Sequence, residues 1–385
     1  MKKRFNFDVL VERDLTNSTK WDRYQGRDII PLWVADTDFA VAPEITEALQ
    51  QRARHPIFGY SYTPQKLNDL IVERMQRLYQ WSIEAQWLVW LPGVVGGMHL
   101  SCRSIGVPGD AVYTPSVIYP HFKSTPGLSA RDPRSIPMTT DRQRDILDLN
   151  WLEQQRAKDV RLLLFCNPHN PGGAVYTRDE LSRLADCALA QDFIICADEI
   201  HCDLILEPGI KHIPIASLNA DIARRSITLM APSKTFNLAG LGCAFAIIPD
   251  RRLRERFKQS AQGIIPYVNL FGYTAACAAY EYADDWNRQQ CEYLRANRDF
   301  LIREINQIRG LKLGPIQATY LAWIDISGLG LDDPERFFEN AGVGLSPGAS
   351  FGDNHFMRLN FGCPQSRLKQ AVERIRLAVS DYWAQ

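Results

Sequence analysis

Short apolar runs punctuate the middle of the chain at Asp110–Thr114 (DAVYT), Arg161–Asn167 (RLLLFCN), Phe193–Asp198 (FIICAD), Ser226–Met230 (SITLM) and Cys243–Ile248 (CAFAII). None alternates strictly between apolar and polar positions. That pattern predicts strands covered on both faces of a parallel sheet. Helical stretches separate them. One, Thr177–Ala190, opens with Thr177 and has Glu180 three residues on, the spacing of a capping box. A strand–helix–strand series of this kind predicts an α/β layered domain.

After about Thr274 the texture changes. A helical pattern rich in Ala, Arg, Glu and aromatics runs from Ala275 to about Ile308, followed by alternating segments at Ala318–Asp325 and Phe356–Phe361. A last helix is expected over Ser366–Trp383. These predict a smaller α+β domain. The first ~45 residues, with the strand-and-loop segment PLWVADTDF, are expected to form an arm against it. The expected division is therefore an arm over 1–45, a large α/β domain over 46–274 and a small C-terminal domain over 275–385.

Composition excludes several classes. At roughly 100–200 residues per domain, 385 residues hold two or three domains. Lys+Arg and Asp+Glu both number 44, so bulk charge attracts neither nucleic acid nor an anionic membrane. The basic start MKKRFNFDVLVERD has no apolar run behind it, which argues against a signal peptide. No apolar window approaches the ~18 residues of a membrane span. The nine scattered cysteines contain no C-x-x-C, and the seven histidines no H-x-x-x-H. Reduced thiols in a cytosolic protein without structural zinc are expected.

Several residues stand where chemistry is possible. Lys234 follows a strand and a small-residue turn in ITLMAPSKTFNLAGLG. Such an amine can condense with an aldehyde cofactor if its surroundings keep it partly deprotonated, and a solvated turn lysine is the alternative. Asp198 ends the strand FIICAD, where open α/β sheets bind ligands. It could hold a cationic ring nitrogen or merely cap a helix. Asn170 lies in the Pro- and Gly-fixed turn FCNPHNPGG, where an Asn–Pro bond is sometimes cis. Its amide could donate to a phenolate oxygen. LPGVVGGMHL opens a helix with glycines, a backbone that favours phosphate. Arg358 is a lone charge in the strand FMRLNF and needs a partner, either a substrate carboxylate or a structural one. Tyr119 could stack on a ring and Tyr60 reach a phosphate, although single tyrosines commonly only pack.

In order, PLWVADTDF, FGYSY, the glycine-rich helix start, VIYPHF, CNPHNPGG, ADEIHCDL, SKTFNLAGL, TYLAWID and MRLNFGCP run from residue 31 to 364. Together they resemble the fold-type I pyridoxal phosphate enzymes of the aspartate aminotransferase superfamily, and within it the MalY/PatB cystathionine β-lyase branch. The resemblance implies a large domain with a mostly parallel seven-stranded sheet between helices and a smaller α+β domain. It implies pyridoxal 5′-phosphate joined to Lys234, with Asp198 on the pyridine nitrogen. Asn170 and His201 would meet the ring's phenolate oxygen, and Tyr119 would stack on the ring. The backbone of Val94 and Val95, with the Ser233 hydroxyl, would hold the phosphate, and Tyr60 would reach the phosphate of the neighbouring subunit in a homodimer. Arg358, with Asn170 and the backbone at Ala35, would bind the substrate. Three departures stand out. Gly242 occupies the position, eight residues after Lys234, where many aminotransferases place a phosphate-binding Arg. Thr37 replaces the branch's usual Met, which lies near the substrate entrance in the family, and Ala231 replaces a common Ser.

The activity implied is α,β-elimination of cystathionine or a related cysteine S-conjugate to a thiol, pyruvate and ammonia. An aminotransferase in the same fold is the first alternative; Gly242 and the WVADTDF segment tilt against it. A binding or regulatory protein that keeps the fold is the second.

Overall fold

The computed structural model describes residues 4–141 and 143–384. Among them, seven strands build the central sheet: β1 (Leu88–Leu91), β2 (Ala111–Pro115), β3 (Asp132–Ile136), β4 (Val160–Cys166), β5 (Ile194–Asp198), β6 (Ser226–Met230) and β7 (Ala244–Ile247). Their order across the sheet is β1-β7-β6-β5-β4-β2-β3. The pairs β3–β2, β2–β4, β4–β5 and β5–β6 are parallel, whereas β7 runs antiparallel to both β6 and β1. The apolar run at Cys243–Ile248 is therefore a covered strand but not a parallel one. Coverage on both faces, rather than strand direction, makes a run continuously apolar.

Alternation along the strands divides the sheet's two faces. Leu163 and Phe165 of β4 join Ala197 of β5 under helix Arg178–Gln191. Leu162 and Leu164 pack on the opposite face with Cys196, Leu229 and Met98. Each buried Leu, Phe or Met among these contributes about 1.5–3 kcal/mol. The helix over Arg178–Gln191 starts with the expected capping box: Glu180 N–H donates to Thr177 Oγ1 at 3.3 Å, and Thr177 N–H to Glu180 Oε2 at 2.7 Å. β3 has a mostly exposed, polar pattern that no apolar run announced. Polar residues on an edge strand discourage pairing with other chains.

The helical pattern of 275–308 is two helices, Leu270–Tyr282 and Asp284–Ile305, joined at Ala283. The break coincides with Asp284 turning to Arg74, whose Nη1 lies 2.6 Å from Asp284 Oδ1. The division expected at residue 274 falls inside helix Leu270–Tyr282, which packs against helices Pro43–Ala53 and Gln65–Tyr79. Beyond it lies an antiparallel sheet of β8 (Lys312–Leu313), β9 (Leu321–Asp325), β10 (Ser346–Pro347) and β11 (Phe356–Asn360), in the order β8-β9-β11-β10. The N-terminal arm reaches this part of the chain. Ile30–Pro31 pairs in parallel with Val343–Gly344, and Asn360 N–H donates to Leu32 O at 2.8 Å. The last helix covers Gln365–Ala384. All nine cysteines are free. Among the described residues no helix is long and apolar enough to cross a membrane.

Candidate active site

The carboxyl ends of β1, β2, β4, β5 and β6 open on one cavity of about 570 Å³. Each strand delivers a candidate within a few residues of its end, as crevices in open α/β sheets do. β1 leads into helix Val94–Ser104, whose N-cap Gly93 offers no side-chain hydrogen bond. The first N–H groups, on Val94 and Val95, are thus left for an anion. β2 leads to Tyr119, β4 to Asn170 through a turn with a cis Asn167–Pro168 bond, β5 ends on Asp198, and β6 leads to Ser233 and Lys234. Arg358 arrives from β11 and Ala35 from the arm. Val94, Val95, Tyr119, Asn170, Asp198, His201, Ser233, Lys234, Ala35 and Arg358 all line the cavity. Tyr60 does not: it is fully exposed at the surface of its own chain.

The electrostatics of the floor follow from burial without compensation. Lys234 Nζ donates to the Ala35 carbonyl at 2.6 Å. Burial, reinforced by Arg358, brings its pKa down from 10.5 to about 8, against weaker pulls from Asp36 and Asp198. Burial lifts Asp198 from 3.8 to about 7, opposed by the Ile200 N–H and Lys234. The Ile200 N–H lies 3.1 Å from Asp198 Oδ1. His201, buried and facing Lys234 and Arg358, is pushed down to about 3 and is a neutral imidazole near pH 7. Its Nδ1 is buried without a hydrogen-bond partner.

Arg358 is buried and holds neutral groups only: Asn170 Oδ1 at 3.0 Å, Trp33 O at 2.9 Å and Ser346 Oγ at 3.4 Å. Its guanidinium lies 4.6 Å over the Phe351 ring. Among the described residues no carboxylate pairs with it, so the structural partner considered from sequence is absent. Burial lowers its pKa from 12.5 to about 10, against opposing pulls from Tyr119 and Tyr320. A buried cation with neutral partners is costly, and an incoming carboxylate would offset that cost.

Thr37 is not at the cavity. It is buried, its N–H donates to Asn237 Oδ1 at 3.1 Å, and its carbonyl accepts from Asn237 Nδ2 at 3.0 Å. That two-way bond fixes the backbone of residue 37. Gly242 does line the cavity, in a left-handed conformation (φ +57°), and a Cβ there would lie 3.3 Å from Pro92 O. A long basic side chain fits poorly at that backbone position.

Sequence reasoning missed the residues that hold the candidates in place. Tyr320 donates to Ala35 O at 2.9 Å, so one carbonyl receives both Tyr320 and Lys234. Asn360 Nδ2 donates to Val34 O and Asp36 O, both at 2.6 Å, and fixes the loop that carries Ala35. Tyr320 stood in the TYLAWID segment and Asn360 beside Arg358, but nothing local marked either as a partner of residue 35.

Residues 27–375 match the family Aminotransferase class I and II. The chain is similar to a protein solved as OvoB, with 46% identity, TM-score 0.95, and 98% of this chain and 99% of that one covered. It is also similar to cystathionine beta-lyase PatB of Bacillus subtilis strain 168, 36% identical over 97% of this chain and 100% of that protein. The structure of cystalysin from Treponema denticola, which contains a pyridoxal 5′-phosphate cofactor, is 30% identical with TM-score 0.93 and covers 98% of this chain and 100% of its own.

Proposed function

The chain belongs to the aminotransferase class I and II family, and from that premise we propose that it is a pyridoxal-phosphate-dependent C–S β-lyase. It releases a thiol, pyruvate and ammonia from cystathionine or a related cysteine S-conjugate. The observation that carries this reading is the buried, carboxylate-free Arg358 in the same cavity as the lowered amine of Lys234. The names of the relatives support it: PatB is a cystathionine beta-lyase and cystalysin contains the cofactor.

The residues present fit that cofactor. Asp198 is buried and pushed up to about 7, so a protonated ring nitrogen beside it would restore the ionised carboxylate. The unpartnered Nδ1 of His201 leaves a polar atom for a ring substituent. The helix start at Val94 and Val95, with Ser233, suits a phosphate. When bound, the group supplies an aldehyde for amine condensation and a ring that takes up charge from Cα.

This chain's residues do the rest. Arg358, assisted by Asn170, grips the α-carboxylate and so fixes the orientation of the Cα–H bond. Lys234, with its pKa near 8, accepts the Cα proton at Nζ. The Cβ–S bond breaks as charge leaves Cα, and the thiolate departs toward the open end of the cavity. Tyr119 lines the same cavity and would stack on the ring, and Ala35 O holds Nζ at 2.6 Å. The chain acts in the cytoplasm as a homodimer. Tyr60, exposed on its own subunit, would reach the cofactor phosphate of the neighbouring one.

Incubation with cystathionine is the test, with pyruvate and free thiol assayed together. Both should appear in equal amounts without added keto acid. Turnover that requires a keto acid and releases no thiol assigns the chain to transamination instead.

A further inference from the structure

The inner end of the cavity serves the reacting half of a substrate, while its solvent-facing end carries charge with no such duty. Arg23 and Glu335 both line it there. Arg23 Nη2 lies 2.7 Å from Glu335 Oε1, with the two side chains 39% and 34% exposed. The Arg23 guanidinium sits 4.6 Å over the Trp33 ring, and the backbone carbonyl of that same Trp33 accepts from Arg358 Nη2. One tryptophan thus connects the inner arginine to the outer one. Glu339, 3.6 Å from Arg23, is already held by Arg27 and Tyr24. Among the described residues Arg23 is the only basic side chain paired with Glu335.

A half-exposed ion pair opens at little cost, and stacking on Trp33 keeps the guanidinium in place while it does. We propose that Arg23 and Glu335 form a specificity subsite for the departing half of the substrate. It selects a thiol that is itself an amino acid, with that thiol's carboxylate on Arg23 and its ammonium on Glu335. A neutral alkyl thiol gives the pair no reason to open, and a purely anionic one meets Glu335. A zwitterion satisfies both charges. This inference rests on the β-lyase reading.

Its test compares cystathionine with S-ethylcysteine by pyruvate release from wild type, Arg23→Gln and Glu335→Gln. The ratio of kcat/KM for cystathionine over S-ethylcysteine should fall about tenfold in each variant. An unchanged ratio, or equal losses on both conjugates, overturns the subsite. Calorimetric titration of cystathionine into Lys234→Ala protein, which holds substrate without turning it over, gives a second reading. Adding Arg23→Gln should weaken binding about tenfold, and unaltered affinity overturns the subsite. If wild type releases no pyruvate from either conjugate, the β-lyase reading fails while the titration still judges the subsite.

Discussion

Two clusters of buried charge lie on either side of the loop Trp33–Asp38, and they are built in opposite ways. Behind the loop, Lys20 and Asp38 are fully buried and face each other at 3.2 Å. Arg13 reaches Asp38 at 2.7 Å and Asp36 at 2.9 Å, and Trp21 Nε1 donates to Asp38 at 3.1 Å. Burial alone would raise the Asp38 pKa, but Lys20, Trp21 and Arg13 together hold it below its ordinary 3.8. In front of the loop, Arg358 and Asp198 are buried and Lys234 half-buried, yet each is pushed toward its neutral form. The first cluster is closed on itself and holds the arm. The second is short of counter-charge, which is the condition of a site that awaits ligands.

The two sides should therefore respond differently to mutation, one in activity and the other in stability. Lys234→Ala has the largest expected effect: loss of the general base lowers pyruvate release at least about a thousandfold. Borohydride should no longer fix cofactor to the protein, while the thermal midpoint barely moves. Arg358→Met comes next, with kcat/KM for cystathionine down about a hundredfold. Because Arg358 has no buried counter-charge to abandon, the thermal midpoint of this variant should stay within about 3 °C of wild type or rise. A collapse of stability in Arg358→Met would erase the distinction between the two clusters. Asp38→Asn probes the other side. It leaves Lys20 buried with only Asp36, 3.6 Å away, and should cost about 3 kcal/mol in urea unfolding.

The sequence made the front cluster easier to find than the back one. Lys234, Asp198 and Asn170 each sit within a few residues of the end of an apolar run, and a parallel sheet brings such ends together. Arg358 was visible as a charge in an apolar strand. Local pattern could not show that Arg358 would meet Asn170, 188 residues away, or that Tyr320 and Lys234 would share the carbonyl of Ala35. The same limit hid the antiparallel direction of β7 and the polar edge strand β3, since apolar runs record coverage and not direction. Nor could the local segment show that the backbone of Thr37, which is not among the cavity's lining residues, would be held by Asn237, far along the chain.

The smallest expected effect separates the clusters by the sign of a slope. Asp198 titrates near 7 in the folded chain without cofactor and near 3.8 when unfolded. Between those values the folded protein keeps a proton that the unfolded chain has lost, so stability falls as pH rises from about 4 to 7. Asp38 is lowered below 3.8, so there the folded protein has lost a proton that the unfolded chain keeps. Its contribution is present above 3.8 and disappears as pH falls through its folded value. In cofactor-free protein the fall from Asp198, the neutral limb, is superimposed on a rise from His201 and His169, which are lowered from 6.5 to about 3 and about 4. It is therefore read as the climb of Asp198→Asn urea midpoints above wild type between about pH 4 and 7. Asp198→Asn should flatten only the neutral limb and Asp38→Asn only the acid limb. Adding pyridoxal phosphate to wild type should also flatten the neutral limb, because a cationic ring nitrogen draws Asp198 back to its ionised form. Parallel midpoint curves for wild type, Asp198→Asn and cofactor-loaded protein between about pH 4 and 7 would show that the front cluster is not short of counter-charge at Asp198.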